Sequence, residues 1–153
     1  MKKGIIMSLL LMFLLTGCIS VNGEVKGTLF SNPPKDPEVH IDDFRVNCQT
    51  AYNQDFDEYT MMYRVTNNSK FPVIQYQCSG TFNSGQNQTD LICSETLMPG
   101  DTSTVQETSD ITSLNDMEIT KISYEYKDDQ DRTVWVDYDA KLEKYHTSYV
   151  IND

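Results

Sequence analysis

From residue 38 onwards, apolar residues recur at every second position, which is the period of a β-strand with one buried face. The first stretch alternates Phe44, Val46 and Cys48 with polar neighbours. Turn-forming residues separate the further stretches of this kind, which lie around residues 59–66, 74–82, 91–97, 102–107, 122–126 and 134–138. No segment has the apolar period of a long amphipathic helix, and we expect at most a short turn at 109–116. About seven short strands with turns between them predict an all-β, antiparallel β-sandwich.

The size and charge of the chain narrow its possible partners. Its 153 residues provide for one domain with short tails. The chain has 12 Lys and Arg against 23 Asp and Glu, which gives a formal charge of −11. Nucleic-acid binding requires clustered Lys and Arg, and the sequence has no such cluster after its first three residues. We therefore expect no nucleic-acid partner.

The N-terminus has the pattern of an export signal. A basic start, Met1–Lys3, precedes the apolar run Gly4–Leu15, which is shorter than the roughly 20 residues of a membrane-spanning helix. The run ends in Leu15-Thr16-Gly17-Cys18, which resembles the lipobox of bacterial lipoproteins. The resemblance implies a lipid on the Cys18 sulfur, cleavage before Cys18, and an extracytoplasmic location on the cell membrane or outer membrane. An ordinary signal peptide with a coincidental cysteine, or an uncleaved short anchor, is the alternative.

These patterns divide the chain into four parts. We expect a lipoprotein signal peptide at 1–17, a lipidated N-terminus with a proline-rich tether at 18–37, and the β-sandwich at 38–142. Residues 143–153 form either a C-terminal tail or a last edge strand. Within the tether segment, an edge strand at 24–30 remains an alternative.

Two stretches in the body resemble a known group of domains. The run Val65-Thr66-Asn67-Asn68-Ser69-Lys70-Phe71-Pro72, followed by a strand and then by Leu97-Met98-Pro99-Gly100-Asp101, is similar to the pattern of Ig-like domains of bacterial lipoproteins, including FxLYD domains. The resemblance covers roughly residues 42–126 and implies a β-sandwich and an extracytoplasmic location. It implies no catalytic activity.

Three cysteines remain after Cys18, which is an odd number for an oxidising compartment. If residues 73–97 form a hairpin that closes around Ser84–Asn87, Cys78 lies opposite Cys93 at a separation that a disulfide can bridge. We expect this local disulfide. A bridge from Cys48 to either of the other two, or three reduced and buried thiols, are the alternatives.

The sequence has no recognisable catalytic or metal-binding pattern. Motifs of nucleophile elbows, zinc proteases and phosphate loops are missing, and the two histidines, His40 and His146, lie near the ends of the domain. The acidic stretch Asp128, Asp129 and Asp131 has neither the Gly nor the Glu of a calcium loop, so it predicts a solvated hairpin tip. We expect no metal and no cofactor.

Trp135 is the candidate binding residue. It has the opposite parity from Val134 and Val136, so it faces away from the core, and large exposed aromatic residues anchor interfaces. We nevertheless favour a Trp135 side chain that the C-terminal tail covers. Five tyrosines have inward parity and are expected in the core: Tyr63, Tyr76, Tyr124, Tyr126 and Tyr138.

These expectations favour a membrane-anchored, non-enzymatic binding module of the bacterial cell envelope. Its partners would be the membrane, through the lipid on Cys18, and an unidentified envelope or surface protein. An exclusion or immunity lipoprotein is one form of such a module. The alternatives are a structural subunit of an envelope machine, or a metal-dependent envelope enzyme or enzyme inhibitor.

Overall fold

The computed structural model describes residues 28–29 and 36–151. The predicted leader, the lipobox and Cys18 lie outside the described residues. No helix within the described ranges has the length and apolar composition to cross a bilayer.

The described residues form two antiparallel sheets, which confirms the all-β sandwich prediction. Their strands are β1 (Thr28–Leu29), β2 (Phe44–Asn53), β3 (Glu58–Asn67), β4 (Val73–Phe82), β5 (Asn87–Cys93), β6 (Gln106–Thr108), β7 (Glu118–Lys127), β8 (Thr133–Asp139) and β9 (Lys144–Ile151). The large sheet has the order β1-β9-β8-β7-β4-β5, and the small sheet has the order β2-β3-β6. Single 3₁₀ turns at Ile41–Asp43 and Leu114–Asp116 are the helical elements of the described chain.

The C-terminal segment extends the large sheet. β9 pairs with β8 on one side and with the two-residue strand β1 on the other. The expected last strand is therefore present, but it is not the edge. Thr28 and Leu29 fall in the segment where an edge strand was the alternative to a tether.

The core lies between the inner faces of the two sheets and contains most of the residues that the alternation placed there. Four of the five predicted core tyrosines are buried, and Tyr138 is half-buried. Tyrosine is amphipathic, and its hydroxyl normally finds a hydrogen-bond partner when it is buried. Fully buried residues with large side chains include Tyr124, Tyr126, Met61, Leu91, Val39, Val65, Val73 and Val134.

Three tyrosine hydroxyls, two of them from this core set, hold the segment that enters the sandwich. The Tyr124 hydroxyl donates to the carbonyl of Val39 at 2.5 Å. The Tyr126 hydroxyl accepts from the N–H of Glu38 at 3.1 Å, and the Tyr145 hydroxyl accepts from the N–H of Ile41 at 3.2 Å. Residues 38–41 are thus fixed across the large sheet by phenols from β7 and β9.

The predicted disulfide between Cys78 and Cys93 is wrong. Cys78 lies opposite Leu91, and Cys93 lies opposite Tyr76. The loop that joins β4 to β5 is 83–86, with Phe82 opposite Asn87, so the register differs by two residues from the expected one. Diagonal neighbours on a sheet are about 7–8 Å apart, which is beyond the usual reach of a disulfide. Cys48 is also a free thiol and is exposed, so neither alternative bridge from Cys48 forms.

Candidate functional site

Trp135 lies on the outer face of the large sheet, in the middle of β8. Its cross-strand neighbours are Glu125 on β7 and Ser148 on β9. The residue is 48% exposed, so the expectation that the C-terminal tail covers it is wrong. The reason is that the tail continues the sheet as β9, beside β8, and does not fold over its outer face.

A shallow cleft of about 120 Å³ opens beside Trp135. Strands β4, β7, β8 and β9 contribute to it, and six of the nine residues that line it are polar. The polar residues that line it are Gln75, Ser123, Glu125, Asp137, His146 and Ser148. The exposed indole offers a flat aromatic face, and the surrounding amide, hydroxyl, imidazole and carboxylate groups can form hydrogen bonds.

One of the two carboxylates in the cleft already has partners. Asp137 accepts a hydrogen bond of 2.6 Å from the Ser123 hydroxyl, and the ammonium of Lys121 lies 3.4 Å from the same oxygen. The other lysine of β7, Lys127, bonds to the carbonyl of Asp131 at 3.1 Å and lies 3.6 Å from its carboxylate. Within the described residues, Glu125 forms no ion pair.

The cleft brings together residue types of a hydrolytic triad, but it does not connect them. His146 lies directly opposite Asp137, and Ser148 follows two positions later on β9. In the described part of the chain, no hydrogen bond joins the His146 ring to Asp137, Ser123 or Ser148, and the Asp137 carboxylate is bound by Ser123. Nucleophilic catalysis depends on such a connected chain of hydrogen bonds. The described contacts bind Asp137 to Ser123 and not to His146.

The acidic residues between β7 and β8 stabilise the turn. One carboxylate oxygen of Asp128 accepts from the N–H groups of Gln130 and Arg132, each at 2.9 Å, and the other binds the Arg132 guanidinium. These bonds outweigh the effect of burial, which alone raises the pKa of Asp128, so its pKa is lowered. Among residues 28–29 and 36–151, no three His, Cys, Asp or Glu side chains converge as a metal site.

A second surface lies at the end of the β2–β3 hairpin. It contains three acidic residues, Asp55, Asp57 and Glu58. The structure adds three exposed aromatic side chains, Tyr52, Phe56 and Tyr59. The rings of Tyr52 and Tyr59 are 5.2 Å apart, and the Tyr52 hydroxyl donates to Asp57. Tyr59 alternates in step with the buried residues Met61, Tyr63 and Val65 of β3, but this end of the hairpin is exposed.

Sequence analysis identified Trp135 but missed the residues around it. Glu125 could have been found, because the five-residue loop 128–132 sets the β7–β8 register and places Glu125 opposite Trp135. His146 and Ser148 could not have been found, since their position in the cleft depends on the pairing of β9 with β8. The predicted site residue Cys18 lies outside the described residues, and His40 lies away from the cleft, with its ring 5.4 Å from that of Tyr145.

Models of known protein families, curated proteins and solved structures were compared with this chain, and none matches it.

Proposed function

We propose that this protein is a lipid-anchored, extracytoplasmic binding module of the bacterial cell envelope, and that its large sheet holds a partner protein through the cleft at Trp135. The observation that carries the binding role is the half-exposed Trp135 in a polar cleft. Exposing a large aromatic side chain in this setting forgoes the free energy of its burial, and tryptophan is the residue type most enriched at the centres of interfaces.

The location is supported by the N-terminal sequence. The basic start, the short apolar run and Leu15-Thr16-Gly17-Cys18 agree with a lipoprotein signal. Two buried acyl chains hold a domain on a bilayer where one chain does not. The acidic body, with a formal charge of −11 for the whole chain, would be repelled by anionic lipid and would stay away from the membrane surface.

The resemblance to Ig-like lipoprotein domains supports the same function. Such domains are scaffolds, so the function of this one depends on the residues that its surface displays. Asp137 is bound by the Ser123 hydroxyl and, within the described residues, not by the His146 ring, which supports a non-enzymatic role.

Two experiments test this proposal in cells. Labelling with a radioactive fatty acid should mark the wild-type protein and a Cys48→Ser variant, whereas Cys18→Ser should carry no label and should leave the membrane fraction. A labelled Cys18→Ser variant would contradict the anchor.

The second experiment tests the binding surface. A photoreactive amino acid in place of Ser148, beside Trp135, should yield one stoichiometric crosslinked partner in intact cells. The same group in place of the exposed Ser109 is the control, and adding Trp135→Ala to the Ser148 variant should abolish the product. Equal products from both positions, or none from Ser148, would contradict the proposal.

A further inference from the structure

The chemistry of the Trp135 cleft specifies the kind of group that it binds. Its volume of about 120 Å³ is well below the 300–1,000 Å³ of typical small-molecule sites, so it has room for one side-chain head group. Its charged lining is acidic: Glu125 and Asp137 contribute carboxylates, and His146 is the basic residue type among them.

Glu125 is the residue of the cleft that can pair with a cationic ligand. It lies directly opposite Trp135, and cross-strand neighbours have their Cβ atoms about 4.5–5.5 Å apart. The lysines that could neutralise it are bound elsewhere, Lys121 to Asp137 and Lys127 to Asp131. The half-buried Glu125 carboxylate is therefore available to an external cation beside the indole face.

We infer that the cleft binds the guanidinium group of an arginine side chain presented by the partner protein. The planar guanidinium stacks on the Trp135 indole, and its edge donates hydrogen bonds to the Glu125 carboxylate. Tryptophan is the strongest of the aromatic side chains in cation–π contacts, and arginine combines stacking with bidentate donation to a carboxylate. The acidic body of the protein steers a basic partner surface towards this face. This inference rests on the proposed function, because it names the group that the proposed partner contributes.

A lysine ammonium and a neutral sugar fit the cleft less well. Lysine is a point charge that cannot stack as a plane or donate a fork of hydrogen bonds to one carboxylate. A sugar could stack on the indole, but it would leave the negative charge of Glu125 without a counter-charge in the contact.

A fluorescence titration tests the inference, because Trp135 is the one tryptophan of the chain. The full chain, purified from cells in a non-ionic detergent without a sugar head group, is titrated with the capped peptide acetyl-Gly-Arg-Gly-amide. The matched control peptide has citrulline in place of arginine, which keeps the shape and removes the charge. We expect a saturable change in emission with the arginine peptide and binding roughly tenfold weaker with citrulline, since charge-assisted hydrogen bonds are the strong ones.

Two variants locate the contact. Glu125→Gln should weaken binding of the arginine peptide by roughly tenfold, whereas Glu107→Gln, which removes the same charge from an exposed position on the small sheet, should leave it unchanged. Trp135→Ala should abolish binding. Calorimetry measures this result, because the variant lacks the tryptophan whose emission the titration follows. Its circular-dichroism spectrum should match the wild type, since the residue is half-exposed.

Other outcomes would overturn the inference. Equal binding of the citrulline peptide, no effect of Glu125→Gln, or no binding of the arginine peptide would each do so. A response to a neutral oligosaccharide in place of the arginine peptide would assign the cleft to a glycan. Crosslinking from position 148 in cells could still succeed in each case, so the inference can fail while the proposed function stands. Binding of the arginine peptide without any crosslinked partner in cells would mean that the cleft binds arginine but that the proposed function is wrong.

Discussion

Asn67 is the residue whose side chain does most to organise the turn after β3. It is 0% exposed, and its amide N–H group donates to the carbonyls of Phe71 and Leu97 at 2.8 and 2.9 Å. Its side-chain oxygen accepts from the N–H and the hydroxyl of Ser69 at 2.9 and 2.7 Å. The turn signal Asn67-Asn68-Ser69 was visible in the sequence, but the link to Leu97, thirty positions away, was not.

We predict that Asn67→Ala lowers the free energy of unfolding by about 2–4 kcal/mol, because it removes four hydrogen bonds of a buried side chain and leaves the N–H of Ser69 without its acceptor. Urea denaturation measures the change. The neighbouring Asn68→Ala is the control, and its exposed side chain predicts a change of less than about 0.5 kcal/mol. Equal effects of the two variants would refute the role given to Asn67.

Asp128 gives a prediction that depends on pH. Its pKa is lowered from the ordinary value of 3.8, so its ionised form stabilises the fold at pH values above 3.8. This stabilisation is lost as the pH falls through the lowered pKa, because the carboxyl is then protonated in both the folded and the unfolded protein. We expect Asp128→Asn to cost about 2 kcal/mol at pH 7, and this difference from the wild type to shrink towards zero near the acid limit.

Chemical denaturation at pH 7 and at progressively lower pH measures this difference. Asp129→Asn, at the exposed neighbouring position, is the matched control and should show little change at any pH. A difference for Asp128→Asn that grows towards low pH would have the wrong sign for the bonds described.

At the level of the strands, Gly80 marks a close contact between β4 and the start of β7. The β4–β7 register shifts between Ser79 and Gly80, which is the position of a bulge. A Cβ atom at Gly80 would lie 2.4 Å from Cγ of Met117 and 2.7 Å from the carbonyl oxygen of Glu118. The Met117 side chain can move, but the Glu118 carbonyl belongs to the backbone.

Gly80→Ala should therefore destabilise the protein by about 1–3 kcal/mol, as expected for overpacking of a well-packed site. Thermal unfolding followed by circular dichroism measures the loss. Ser79→Ala, one position earlier on β4, introduces no new atom and is the control. A Gly80→Ala variant as stable as Ser79→Ala would show that β7 can move away from β4 without cost.

Strands such as β4 and β5 were predictable because one face of each is buried, and alternation depends on burial alone. Their register was not, as β4 and β5 show. The loop between them contains Asn83, Ser84 and Gly85, all with positive φ. This left-handed conformation fits a four-residue loop, and no residue of the segment distinguishes closure at 83–86 from closure around Ser84–Asn87. The choice moved Cys93 by two positions and removed the predicted disulfide.

The candidate site was predictable to the same degree. The alternation along β8 was enough to place Trp135 on the outer face, because the face that a residue takes depends only on its own strand. Its exposure depends on where the C-terminal segment lies, which is a property of the whole sheet. Pairing of β9 with β8 both left the indole exposed and brought His146 and Ser148 to it.

The stability of the whole molecule should be independent of reducing agents. Cys48, Cys78 and Cys93 are free thiols, and burial raises the pKa of Cys78 to about 11, so little reactive thiolate forms at neutral pH. We expect the thermal midpoint to be the same with and without a reductant. In the folded protein, a thiol reagent should modify Cys48 rapidly, and Cys78 and Cys93 only after unfolding.

Mass spectrometry of peptides after short and long labelling identifies the modified positions, and Cys48→Ser is the control that should remove the fast phase. A midpoint that falls on reduction, or early protection of Cys78 together with Cys93 as a linked pair, would indicate a disulfide and contradict the structure.

The phenols that fix residues 38–41 also have a mechanical consequence. A pull on the chain ahead of Thr28 would first separate the two-residue strand β1 from β9. It would then reach hydrogen bonds from Tyr124, Tyr126 and Tyr145, which lie on strands β7 and β9 on either side of β8, so that the load on residues 38–41 would be shared between two strands. The Trp135 face would also keep a fixed angle to the point where the chain leaves the domain.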